Sequence, residues 1–447
     1  MFKTLANAWK VADLKKKILF TLLILLVYRV GACITVPFIG FSSLESAAVS
    51  SDMSLLIQYL TGQLTSSKDI GIFSIMSGNA FAQATLFALG VSPYITSSIV
   101  MQLLAVAIPA LERLSRSEDG KKKINSITRF VTVAIALITS IGYYVYLKSM
   151  GAVLEKGFFY AVVIIACYCA GSSLVMWLAE KINEHGIGNG ISLILFANIV
   201  SRFPTLVIEI STMIKNYPVG GTIYSVFACL FMLFILWFII FITDSERRIP
   251  VQYAKKVVGR KMYGGQNTNL PIKLNMTGVM PIIFASSIMN IPQIINMFVN
   301  ASSDSWFGKF VQYCASITVP YILVNFVLIV AFAYFYVAIS FNPVEVAGNL
   351  QKNGGSIPGI RPGKPTSDFI KNVLSRITLI GALALSVVAV VPTLIQYIIN
   401  LTAGSQYMIQ DFVFAGSSVI IVVGVILETV KEIETQMSMR HYKGFLE

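Results

Sequence analysis

Apolar positions run along this chain in long blocks, and the polar positions between them gather into short clusters. The blocks recur from about residue 18 to residue 430. Each approaches the roughly 20 residues that a helix, rising about 1.5 Å per residue, needs to cross a hydrocarbon layer of about 30 Å. Short alternating segments of the kind that build a membrane barrel are absent. A backbone exposed to lipid must satisfy its own hydrogen bonds, so the pattern predicts a helical bundle. Ten spans are expected, at 18–38, 81–108, 127–147, 158–179, 187–208, 223–242, 274–299, 317–341, 373–395 and 412–430. The class that follows is an all-α polytopic membrane protein.

Two spans share a phrase: GVSPYITSSIVM at 90–101 and GVMPIIFASSIM at 278–289. Biased membrane composition makes such matches cheap. Their placement in the second and seventh spans, five apart, makes the two copies run in opposite directions, which is the pattern of inverted repeats. The expected architecture is two inverted pseudo-symmetric five-helix halves, 18–210 and 211–430, with function where they meet. Pro93 and Pro281 lack an N–H and are expected to perturb their helices, with Thr96, Ser97, Ser98, Ser286 and Ser287 as alternative hydrogen-bond partners. The plain alternative is kinked helices packed through small residues.

Charge sets the orientation. Of the 34 Lys and Arg residues, 27 fall on one side if the N-terminus is cytosolic, so both termini are placed in the cytosol. Segment 1–17 reads as an amphipathic surface helix with Phe2, Leu5, Ala6 and Trp9 on one side, and 431–447 as a cytosolic tail. The chain is 56% hydrophobic and 12% charged, a composition that excludes a soluble multidomain protein. The five cysteines are scattered and read as packing residues.

The chemistry that energises a transporter is missing. Arg29 is the one clear ionisable residue deep in a span, where it can pair, snorkel or face a wet cavity. His185 and His441 lie in cytosolic segments, and neither GIRPGKP nor GIGNG has the spacing of a nucleotide loop. No cofactor, metal or catalytic residue is called for. Two features remain. Residues 66–79, SSKDIGIFSIMSGN, hold an apolar patch too short to span, readable as a space-filling interfacial helix or as a mobile cap. Cytosolic loops 244–275 and 342–370 carry ERRIPVQYAKKVVGRKMYGG and NGGSIPGIRPGKP, which suit either topology alone or docking onto an anionic partner.

These stretches, with NEHGIGNGIS (183–192) and LPIKLNMTGVMPIIFASSI (270–288), resemble the SecY family, the central subunits of the bacterial Sec protein-conducting channel, over essentially the whole chain. The resemblance implies a plasma (inner) membrane channel that passes unfolded polypeptides and releases hydrophobic segments laterally between spans two and seven. It implies a pore ring at Val91, Ile95, Ile191, Leu195, Ile283 and Ile421, with Val91 and Leu195 standing where isoleucine is common in the family. It implies a plug over about 67–78, including Ser67, Ile70, Ile72, Phe73, Ile75, Met76 and Gly78. The implied lateral gate includes Pro93, Thr96, Gln102, Thr128, Asn275, Pro281, Ser286 and Ile291. Docking positions fall on Arg247, Arg248, Lys255, Lys256 and Arg361. Implied partners are SecE-like and SecG-like small subunits, a SecA-like motor ATPase, the ribosome through its RNA and proteins, secretory and membrane-protein substrates, and lipid. The alternatives are an inverted-repeat secondary transporter or lipid carrier, and a structural scaffold.

Overall fold

The computed structural model describes the chain apart from residues 1–8, 40–76, 79, 82, 116, 150–151, 155–156, 218–219, 254–255, 259–260, 264–266, 300–304, 315–317, 403–414 and 444–447. Ten membrane-crossing positions are filled by α1 (Ala12–Gly31), α2 (Ser92–Ala107), α4 (Glu118–Ser149), α5 (Phe158–His185), the pair α6 (Gly190–Val200) and α7 (Phe203–Asn216), α8 (Gly220–Asp244), α9 (Met280–Val299), α11 (Val319–Ser340), α13 (Lys364–Thr402) and α14 (Ala415–Lys443). Short helices α3 (Pro109–Ser115), α10 (Trp306–Cys314) and α12 (Pro343–Lys352) link them. Six of the helical stretches are by length and composition alone able to cross a membrane, one of them combining α6 and α7. Leu23, Leu26, Phe227, Leu230, Trp237 and Leu323 are exposed on the outside of the bundle, as expected where the solvent is lipid.

Several boundaries differ from the sequence expectation. The second span begins at Ser92, not at residue 81, and the seventh at Met280, not at residue 274. Gly90 and Gly278, at φ +52° and +61°, turn the chain into each helix from the left-handed region, where a side chain would add strain. Pro93 and Pro281 consequently occupy the second helical position. No intrahelical donor is required there, so neither proline kinks its helix. The interior prolines are Pro292 in α9 and Pro392 in α13. The fifth span is interrupted: α6 ends at Val200, and a turn at Ser201–Arg202 precedes α7, whose second residue is Pro204. Its start is displaced to Gly190 because Asn183 and Asn189 accept the backbone N–H groups of Gly190 (2.7 Å) and Ile191 (3.1 Å), fixing the GIGNG turn as the helix N-cap.

Other helices overrun their expected ends into the cytosol. Lys364 starts α13 and Lys443 ends α14, since polar faces are tolerated once the helix leaves lipid. Likewise α1 includes Lys15, Lys16 and Lys17, with Leu14 buried against Ile187 and Ile433, so the basic segment continues into the first span. Phe2, Leu5 and Ala6 lie outside the described residues.

The larger addition to the all-α expectation is a small sheet built by the cytosolic loops. Strand β1 (Glu246–Tyr253) pairs antiparallel with β4 (Asn267–Lys273), Arg247 opposite Ile272, and with β5 (Gly355–Ser356) of the second loop, Tyr253 opposite Gly355. Between them β2 (Lys256–Val258) and β3 (Lys261–Tyr263) form a hairpin. Ile249 and Val251 point inward on Ile272, Ile357, Ile370 and Leu374, while Arg248, Pro250 and Gln252 point out. That period-two alternation was visible in the sequence within a segment read as loop.

Gly90→Ala is expected to lower stability by about 1–2 kcal/mol, the cost of a left-handed non-glycine residue. Gly348→Ala, inside α12 with nothing within 4 Å of the added carbon, should be neutral or stabilising by up to about 1 kcal/mol. Thermal unfolding in detergent distinguishes the two.

Candidate functional site

Helices α2, α6, α9 and α14 converge on the centre of the bundle. The turn at Asn189 directs Ile191 and Leu195 inward from α6, the Gly90 turn does the same for Val91 and Ile95, and the Gly278 turn for Val279, Ile282 and Ile283. Ile420 and Ile421 arrive from α14. Val91, Ile95, Leu195 and Ile283 are 2, 4, 2 and 5% exposed, and Ile191 and Ile421 pack against them in the same apolar cluster. The structure therefore gathers all six expected ring residues. Val279, Ile282 and Ile194, equally buried beside them, were not singled out from the sequence, although Val279 is the repeat partner of Val91.

Around this cluster the two groups of spans meet along two seams. On one, α9 packs against α2 and α4; on the other, α6 packs against α14. At the first seam Pro93 and Pro281 are buried, Ser286 is half-buried and Ile291 is exposed. Its hydroxyls turn back on their own helices: Thr96 Oγ1 donates to the Ser92 carbonyl at 3.0 Å and Ser287 Oγ to that of Ile283 at 2.8 Å. Gln102 Nε2 donates to Ser98 Oγ at 3.2 Å, also within α2. Ser97 Oγ donates to the Thr128 carbonyl at 2.8 Å, pinning α2 to α4, which travel together. Asn275 is placed apart from these. Its Oδ1 accepts from Thr277 Oγ1 at 3.3 Å, and it lines a cavity of about 10 Å³ with Thr378, Ala333 and Gly381, at the foot of α11 and α13.

Among the described residues, the stretch from Ala80 to Val91 runs as successive tight turns, in which the N–H groups of Ala84, Ala88 and Gly90 donate to the carbonyls of Phe81, Thr85 and Phe87 at 3.2, 3.0 and 2.9 Å, where sequence reading expected a continuous helix from residue 81. Its carbonyls are met by tyrosines: Tyr143 of α4 donates to Phe81 O at 2.5 Å and Tyr168 of α5 to Ala84 O at 3.2 Å. The rings of Phe81, Tyr143 and Tyr168 pack in series, the first pair tilted and the second edge-to-face, with centroids 4.4 and 4.9 Å apart. From the other side, Leu86 N–H donates to Ile34 O at 2.8 Å, and Phe87 stacks on Tyr28 at 5.4 Å. Of the expected plug residues, Gly78 lies at the start of this stretch, beside a buried Ser77 whose Oγ accepts the Phe81 N–H at 3.0 Å. Ser67, Ile70, Ile72, Phe73, Ile75 and Met76 lie outside the described residues.

At the sheet end of the bundle Arg247, Arg248 and Arg361 are exposed; Lys255 lies outside the described residues and Lys256 opens β2. Arg248 Nε donates to Glu246 at 2.7 Å, and Thr366 Oγ1 holds the Arg361 carbonyl at 2.8 Å. Near the GIGNG turn, Lys181 donates to Glu184 at 2.6 Å.

A polytopic bundle whose helices meet at a buried aliphatic cluster, with an irregular segment packed beside it and a basic sheet on one end, fits the class of membrane channels. The SecY family model matches residues 85–430, and this chain belongs to the SecY family. It is 41% identical, over all of both chains, to a protein translocase subunit SecY of Streptomyces coelicolor. The fold is similar to that of a SecY protein whose plug domain is described as stabilising the closed state of the translocation channel, with TM-score 0.63 and 16% identity over 95% of this chain and 92% of that one. It is equally similar to Sec61 in a canine ribosome–channel complex from the endoplasmic reticulum, with TM-score 0.62 and the same identity and coverage.

Tyr143→Phe and Tyr168→Phe each remove the donor to a buried carbonyl, and are expected to cost about 1–3 kcal/mol. The loss should be smaller for Tyr143, because the Phe81 carbonyl also accepts the Ala84 N–H at 3.2 Å. Thermal unfolding of the single variants checks both size and order.

Proposed function

We propose that this chain is the conduit through which unfolded polypeptides cross the bacterial plasma membrane, and from which sufficiently hydrophobic segments escape sideways between α2 and α9. The observation that carries the reading is the convergence of Val91, Ile95, Ile191, Leu195, Ile283 and Ile421 into one buried aliphatic cluster. Aliphatic side chains offer ions no ligand, and a narrow collar of them stays dry. They also deform around any passing side chain, which suits an unselective polypeptide path. A polypeptide crossing lipid unaided leaves each backbone polar group unsatisfied at several kcal/mol, so it requires a wet route. A central Leu, Ile, Phe or Val gains about 0.3–0.6 kcal/mol by entering lipid, against a cost of about 2.5–3.5 for Asp, Lys or Arg. A lateral opening therefore sorts membrane segments from secreted ones by partitioning.

In this reading the two halves, 18–210 and 211–430, part along the α2–α9 seam. Pro93, Thr96, Gln102, Thr128, Pro281, Ser286 and Ile291 belong to the gate, Asn275 supports its base, and residues 67–78 cap the collar from outside. Both termini are cytosolic. Energy comes from a SecA-like ATPase or a translating ribosome, docked on Arg247, Arg248, Lys255, Lys256 and Arg361. SecE-like and SecG-like subunits complete the assembly. Support for the ribosome as a partner comes from the Sec61 relative in its ribosome complex. Support for the docking face comes from the exposure of Arg247 and Arg248 on a folded sheet and of Arg361 in the loop that follows β5.

Replacing Ile95, Ile191, Ile283 and Ile421 together with Gly should raise resting ion conductance in reconstituted membranes; unchanged conductance would discredit the collar. Charge reversal at Arg361, or at Arg247 with Arg248, should weaken motor- or ribosome-driven export about tenfold, the effect of losing one charge-assisted contact. Insertion of the chain itself should stay intact, and export equal to the parent's would return these arginines to a purely topological role.

A further inference from the structure

A charge at membrane depth is expensive unless something repays it. Arg29 sits in the last turn of α1, and its guanidinium lies against the backbone at Gly78. Nη1 is 3.1 Å from where a Cβ would stand on that glycine, and Asn198 Cα and Ser201 Oγ, at 3.1 and 2.9 Å, close in beside it. Gly78 is held at φ +64°. Nη1 is shielded from solvent and finds no acceptor among the described residues. Asn198 follows Leu195 by three residues in α6, about 4.5 Å along the helix. The guanidinium thus lies just outside the collar.

A group shifts an equilibrium only by the difference in its free energy between the two states. In the structure Arg29 Nη1 lacks a hydrogen-bond acceptor among the described residues, a deficit that buried donors carry at measurable cost. With the pore wet, the same nitrogen gains water and the carbonyls of a passing chain. We propose that Arg29 biases the channel toward opening, offsetting part of the aliphatic collar's preference for the dry state. The proposal rests on the channel reading above. It assigns Arg29 the opposite sign from a clasp: its removal tightens the closed state. Gly78→Ala acts the other way, because the new carbon meets Nη1 and the Asn198 backbone from a left-handed conformation.

The test uses the channel purified from membranes with its co-purifying subunits, in planar bilayers, on an Ile95→Gly background that makes resting openings frequent enough to count. Arg29→Met should lower open probability on the order of tenfold, matching one recovered hydrogen-bond deficit. Arg29→Lys, which keeps the charge, should stay near the background, and Gly78→Ala should raise openings. In cells, export of a reporter with a weakened signal segment should fall in Arg29→Met and persist in Arg29→Lys. If Ile95→Gly raises conductance and Arg29→Met then leaves it equal or higher, this proposal fails while the channel reading stands. If Ile95→Gly adds no conductance, the collar itself is wrong, and undiminished reporter export in Arg29→Met then overturns the role of Arg29 as well. Arg29→Gln replaces Met in every arm if the Met variant does not accumulate in membranes.

Discussion

A backbone inside hydrocarbon has to find a partner for every N–H and C=O it carries, and that requirement shapes the rest of this molecule. Helices meet it internally, which is why ten of them make the bundle. The stretch from Ala80 to Val91 meets it only in part through its own tight turns, and Tyr143, Tyr168 and the carbonyl of Ile34 add hydrogen bonds to Phe81, Ala84 and Leu86 from distant parts of the chain. Irregular backbone so enclosed frees the chain to enter α2 abruptly at Gly90, which aims Val91 and Ile95 at the centre. The same device recurs at Gly278, where the second copy of the motif aims Val279 and Ile283 back at them.

The collar and its surroundings work against each other. Aliphatic burial favours closure, at about 25 cal/mol for each Å² of apolar surface withdrawn from water. Around the seam, however, Thr96, Gln102 and Ser287 are satisfied within their own helices. Parting α2 from α9 breaks none of these bonds. The seam is held by packing, such as Phe298 against Gly142, which is non-directional and re-forms in any register that restores the contact. A joint of this kind opens without a covalent or strongly directional step, which suits a path whose cargo changes with every substrate.

The sequence announced the lipid environment and the number of spans, because hydropathy encodes both, whereas the converging aliphatic residues were named through the resemblance to the SecY family. It misled about how the helices begin. Continuous hydropathy across 81–91 and 274–279 read as helix, since apolarity reports burial and is silent about hydrogen-bond pattern. Pro93 and Pro281 then looked like interior kinks, whereas the preceding glycines make each of them an opening residue. Asn275 was grouped with Thr96 and Thr128 by resemblance alone, and its place in a small cavity with α11 and α13 is a tertiary feature that no sequence pattern announces. The tyrosines went unnoticed because only tertiary structure brings Tyr143 and Tyr168 to carbonyls 62 and 84 residues away. The sheet escaped because Ile249 and Val251 alternate for too few residues to stand out among so many charges.

That sheet has a mechanical consequence. Strands β1 and β4 lie between α8 and α9, and β5 lies between α12 and α13, so all three strands hang from the second group of spans. Their inner face is sealed by Ile357, Ile370 and Leu374, the last two belonging to α13 itself. Arg247 and Arg248 on β1 and Arg361 beside β5 are thereby fixed to one another and to α13. A partner that gripped these arginines would pull on α8, α9 and α13 as a unit, while α2 and α4, joined to each other through Ser97 and Thr128, would resist as another. The α2–α9 seam lies between these two units, so force applied at the sheet is delivered to it.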